Sequence, residues 1–146
     1  MTPSSPAVRH VSPPGAIKPT GPWSLAALDT TTNTLYVAGM RGIDLNTNQL
    51  VDGAEARIRQ AFLNMRHIAE SHGAALPDCL RLVVYTTDMA RYRPIANKVQ
   101  EELWGSGPYP PRTIVEVHRL NDDDIIEVEG TFHVPMVGLA TAAISE

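Results

Sequence analysis

Apolar residues recur along this chain with two different periods, and the changes of period mark its elements. Ile58, Phe62, Met65 and Ala69 fall three or four positions apart, with Ala61 and Ile68 beside them. That spacing predicts a helix starting near Asp52 and closed by Gly73. Asp52 and Glu55 have the spacing of a capping box, with Asp in place of Ser or Thr. Ile95, Val99 and Leu103 predict a second helix from about Pro94 to Trp104, with proline in its first turn and Gly105 ending it. Between and around the helices the pattern turns strand-like. Strands are expected at 24–28, at 35–38 before Gly39, at 80–86, at 113–119 and at 125–134, with Asn121-Asp122-Asp123-Asp124 as the last turn. The stretch 105–111, rich in Gly and Pro, is expected to be a stiff loop.

The order strand, strand, helix, strand, helix, strand, strand is an α+β pattern. It predicts a single domain built on a mixed sheet with two helices on one face. Leu82, Val83 and Val84, and again Ile114, Val115 and Val117, place apolar groups on both faces of their strands. Two helices cover only one face, so a partner subunit is expected on the other. Residues 1–15 are rich in Pro and Ser and are read as a flexible arm, residues 16–134 as the domain, and residues 135–146 as a tail.

Composition narrows the class. The 146 residues are 43% hydrophobic and 19% charged, which suits a folded domain rather than a disordered one. The net charge of -4 and the scattered cations argue against nucleic-acid binding. No apolar run reaches membrane-spanning length, and no signal-peptide core opens the chain, so a cytoplasmic protein without membrane contact is expected. The single cysteine, Cys79, opens an apolar run and is read as structural.

Candidate chemistry is sparse. Arg112 follows two prolines at the start of a strand, where its guanidinium could trap a carboxylate or simply be solvated. Glu127 and Glu129 alternate with Ile126 and Val128 and so share one sheet face. Either could act as a base or orient a water, or that face could simply be wet. The five histidines have no metal-ligand spacing, and Gly105-Ser106-Gly107 follows a helix, the wrong context for a phosphate loop.

The run Pro111-Arg112-Thr113-Ile114-Val115-Glu116-Val117, then Leu120, then Ile126-Glu127-Val128-Glu129-Gly130, resembles the signature of the RidA (YjgF/UK114) family. Gly21-Pro22-Trp23, Leu35-Tyr36-Val37-Ala38-Gly39 and Thr86-Thr87-Asp88-Met89 resemble it in the same order, over about residues 16–134. The resemblance implies a chorismate-mutase-like fold and a homotrimer with active sites between subunits. It implies hydrolysis of reactive 2-enamino or 2-imino acids to 2-keto acids and ammonia, with no metal and no organic cofactor.

By position, Arg112 would bind the carboxylate of a small-molecule substrate and Glu127 would place the attacking water. The backbone of Ile114 would meet the imine nitrogen, and Trp23, Asn97 and Met40 would border the pocket. Leu25, Ala38 and Met40 stand where the family often has polar residues, which predicts a drier pocket. A drier pocket suits a longer conjugated substrate, as in the 2-aminomuconate deaminases. A non-catalytic ligand-binding trimer, and the ribonuclease activity attached to the family's name, are the remaining readings.

Overall fold

The computed structural model describes residues 6–135. Its elements are β1 (Val8–Val11), β2 (Ala26–Asp29), β3 (Thr34–Met40), α1 (Ala54–Glu70), β4 (Cys79–Thr86), α2 (Met89–Trp104), β5 (Arg112–Glu116) and β6 (Ile126–His133). They build the expected mixed sheet, in the order β1-β2-β3-β6-β4-β5. Every neighbouring pair is antiparallel except β4 with β5, the two strands joined through α2. Both helices lie on one face.

The core is the layer between helices and sheet. Leu35, Val37 and Met40 of β3, Leu82 and Val84 of β4, and Ile126, Val128 and Phe132 of β6 point into it. Ile58, Phe62, Met65 and Ile68 of α1 and Ala96 and Val99 of α2 meet them. Trp104 closes one end, edge-on to Phe62 at 6.2 Å, with its Nε1 donating to the Leu76 carbonyl at 3.0 Å. The helices are also tied by charge, Glu55 to Lys98 at 2.7 Å and Arg59 to Glu102 at 2.6 Å.

Several boundaries differ from expectation for identifiable reasons. Within the predicted arm, Val8–Val11 forms β1, paired along β2 from Asp29 to Ala26. An edge strand can be held by backbone hydrogen bonds alone, so its largely exposed side chains leave no apolar pattern to read. The capping box does not form: α1 is capped by Gly53 without a side-chain bond, and Glu55 is engaged with Lys98 and Arg59. The second helix begins at Met89, capped by Asp88, whose side chain accepts from the Arg91 N–H at 3.1 Å. Pro94 therefore lies inside the helix, beyond its first turn. Residues 136–146, most of the predicted tail, lie outside the described residues.

The face away from the helices carries Tyr36, Val83, Tyr85 and Val115 together with Thr131, Glu127 and Glu129. It is mixed rather than purely apolar, and Tyr36 and Val115 are exposed on it.

Candidate active site

Two separate cavities divide the candidate residues Trp23 and Glu127 from Asn97 and Arg112. The first, of about 300 Å³, is lined by Trp23, Thr20, Ala38, Gly39, Arg41, Asn121 and Glu127, among others. The second, of about 220 Å³, is lined by Asn97, Gln100, Glu101, Tyr109, Pro110 and Arg112.

A bulge in β3 shapes the first cavity. Val37 pairs with Gly130 and Met40 with Val128, so three steps on β3 match two on β6. The extra residue reverses the alternation after Ala38. Met40 consequently turns into the core, with no exposed surface, and does not border the pocket as expected. Leu25 is likewise a core residue. The drier pocket predicted from these positions is not what forms: Thr20, Arg41, Asn121 and Glu127 give the cavity a polar wall. Trp23, 37% exposed, does line it.

Glu127 and Glu129 share the helix-free face, yet their situations differ. The Tyr85 hydroxyl donates to Glu129 Oε1 at 2.5 Å. The Glu127 carboxylate lines the cavity and takes no hydrogen bond from the described residues. Burial raises its pKa above the ordinary glutamate value of 4.5, an effect opposed by Arg41 and reinforced by Glu129 and Asp124. A carboxylate raised in this way is a stronger base than an exposed one, which favours taking a proton from water.

Arg41, absent from the sequence-based candidates, is 6% exposed. It donates to Asp124 at 3.3 Å, to Asp122 at 3.1 Å and to the Asn121 carbonyl at 3.1 Å. Asp124, with no exposed surface, also meets Arg57 at 3.6 Å. These bonds fix the 121–124 turn, which brings Asn121 to the cavity wall. The partners are some eighty residues apart, so no local pattern could have revealed them.

The second cavity is organised by Arg112. It opens β5, the edge strand, and its register partner is the buried Leu82, so its side chain is on the helix face. Glu127 pairs in register with Tyr85 on the opposite face. The sheet therefore separates the two residues within one chain.

Arg112 Nη1 donates to Asn97 Oδ1 at 2.7 Å and to Gln100 Oε1 at 2.6 Å. Among the described residues no carboxylate lies within ion-pair distance of Arg112. Burial, and the nearby Arg93 cation, lower its pKa and destabilise its charge. Asn97 thus holds the arginine as well as lining the cavity. Gln100 was missed, although it stands three residues after Asn97 on the same helix.

Leu82 N–H bonds the Pro111 carbonyl and Val117 N–H the Thr86 carbonyl. Parallel alternation between those bonds turns the Ile114 N–H and C=O outward along the free edge of β5. Cys79 is buried, its thiol pushed up to about 11 by burial, and it is unsuited to act as a nucleophile.

Residues 14–134 match the family model described as Endoribonuclease L-PSP. A 2-iminobutanoate/2-iminopropanoate deaminase of Dermatophagoides farinae is 33% identical over 122 residues, covering 83% of this chain and 92% of that protein. Among solved structures, a Rhodopseudomonas palustris protein described as a "probable translation initiation inhibitor" is 46% identical, with a TM-score of 0.83, over 88% of this chain and 98% of the other. RidA from a Psychrobacter species is 28% identical, with a TM-score of 0.79, over 86% and 99%. The match of fold, signature strands and nearly the whole described chain establishes that this protein belongs to the Endoribonuclease L-PSP family, the family of RidA and UK114.

Proposed function

We propose that the protein is an imine deaminase that hydrolyses small 2-imino acids, in equilibrium with their enamines, to 2-keto acids and ammonia. The observation that carries this reading is a pair of incomplete half-sites. Among the described residues, one holds a guanidinium with no carboxylate partner, the other a partly buried carboxylate with no hydrogen-bond donor, and they lie on opposite faces of one sheet. A homotrimer that sets the Arg112 edge of one copy against the Glu127 face of the next completes both. The deaminase relative supports the same substrate class.

Arg112 would take the substrate carboxylate, and the outward backbone of Ile114 would meet the imine nitrogen. Trp23 would form an apolar wall. Glu127 would take a proton as water adds to the carbon of the protonated imine, forming a neutral tetrahedral carbinolamine. The same proton would pass to the amino group, and as the C–N bond breaks the hydroxyl proton would return to Glu127, releasing ammonia and leaving the keto acid. The protein's contribution is orientation and one proton relay, both within the reach of so few groups.

The 2-aminomuconate-type reading drew on Trp23, Leu25 and Met40. Two of these three are core residues, so it loses most of its support. Ammonia release from a panel of freshly generated 2-imino acids and from 2-aminomuconate tests the assignment. Turnover of small imino acids is expected. Binding of keto acids with no turnover of any substrate would identify a ligand-binding trimer instead.

A further inference from the structure

The way Arg112 is held carries information about what it binds. Both acceptors sit on one nitrogen: Asn97 Oδ1 and Gln100 Oε1 take the two hydrogens of Nη1. The Nε–H and the Nη2 hydrogens remain, and together they make the side-on fork that matches a carboxylate. Both acceptors are neutral amides. An arginine half-buried between a helix and a strand gains from an Asp or Glu partner, because withdrawing an unpaired charge from water is costly. Here α2 offers amides instead, and Gln100 is only 5% exposed, so water cannot readily replace it.

We propose that Gln100, with Asn97, is a positioning clamp that fixes Arg112 through neutral oxygens and so reserves its charge for the substrate's carboxylate. This rests on Arg112 being the carboxylate anchor. Gln100 acts through Arg112 and touches no reacting atom. An isosteric carboxylate at the same place would hold Arg112 as well or better. It would also spend the charge, since its own negative charge would neutralise a guanidinium that an amide leaves cationic. The clamp thus sets affinity for anionic ligands rather than the fold of the cavity.

The test is Gln100→Glu, with Arg112→Lys as reference, in steady-state kinetics on a freshly generated 2-imino acid. Pyruvate serves as the binding probe, and melting temperatures are measured alongside. Gln100→Glu is expected to raise KM and weaken pyruvate by about tenfold or more while kcat falls much less, with the melting temperature near that of the parent. Gln100→Met removes the acceptor without adding charge and should lower kcat and raise KM together, several-fold, as the aim of the guanidinium loosens.

KM and pyruvate affinity of Gln100→Glu within about twofold of the parent would overturn the clamp. So would tighter pyruvate binding. If Arg112→Lys loses activity while Gln100→Glu does not, the clamp alone falls. If Arg112→Lys is also unaffected, the anchor reading falls with it. Should Gln100→Glu fail to fold, Asn97→Asp at the half-buried member is expected to show the same rise in KM, and an unchanged KM there would overturn the proposal.

Discussion

The carboxyl carbon of Glu127 lies 2.7 Å from where a β-carbon on Gly39 would stand, and its Oε2 lies 2.8 Å away. The carboxylate therefore occupies space that only glycine leaves open. Gly39 sits in the β3 bulge, so one local irregularity both sends Met40 to the core and seats Glu127 in the cavity.

Gly39→Ala should displace Glu127 while leaving the sheet intact. The stability cost should be small, under about 1 kcal/mol, because the clash is with the free end of a flexible side chain that can swing into the cavity. Deaminase activity should fall by at least about a hundredfold, approaching that of a protein lacking the general base. Kinetics on the folded variant check this, and activity within twofold of the parent would show that Glu127 is not seated as described.

Glu127 should cost stability at neutral pH. Burial raises its folded-state pKa, so the folded protein binds the proton more tightly than the unfolded chain does. Its favourable contribution is full below the unfolded glutamate value and is lost as pH rises through the higher folded one. Glu127→Gln should therefore melt above the parent at pH 7, with the advantage shrinking as pH falls toward about 4.5. Turnover should behave oppositely: it should drop by about two to four decades in the variant, and in the parent it should fall as acid protonates the carboxylate. Melting curves and pH–rate profiles on the same preparations read both.

Asp124 is the buried hub of the charge cluster behind the cavity, bonded to Arg41 and close to Arg57. Asp124→Asn leaves the Arg41 charge without its buried partner. Losing one side of such a pair costs about 3–5 kcal/mol. Urea unfolding should show a loss of this size, and a change below about 1 kcal/mol would mean that the pair is not desolvated.

Much of this was legible in the sequence because it is local. The alternation around Ile126-Glu127-Val128-Glu129 placed both carboxylates on one face, and the helical spacing of Ile58, Phe62, Met65 and Ala69 placed α1 against the core. Arg112 could be picked out because prolines precede it and a strand follows. What escaped was non-local or masked. The resemblance set Met40 beside the pocket, and the bulge that turns it into the core instead leaves no compositional mark. Arg41 and Asp124 meet only because β3 and the turn before β6 converge. The resemblance singled out Glu127, but the contact that distinguishes the two glutamates in the fold, Tyr85 with Glu129 alone, joins residues more than forty positions apart and leaves no local pattern. That Arg112 and Glu127 lie on opposite faces needed the sheet register itself.

The central claim is that the site joins Arg112 of one copy to Glu127 of another, and mixing two inactive variants tests it most directly. Arg112→Ala and Glu127→Gln are each expected to be nearly inactive. Unfolded together and refolded, or co-expressed with different tags, they should form trimers of three times the 15.9 kDa chain mass, with both variants in one particle. Some interfaces then pair an intact Arg112 with an intact Glu127, and random assembly should restore about a quarter of the parent activity. Mixed trimers, verified by mass, that stay as inactive as either variant alone would contradict the shared site.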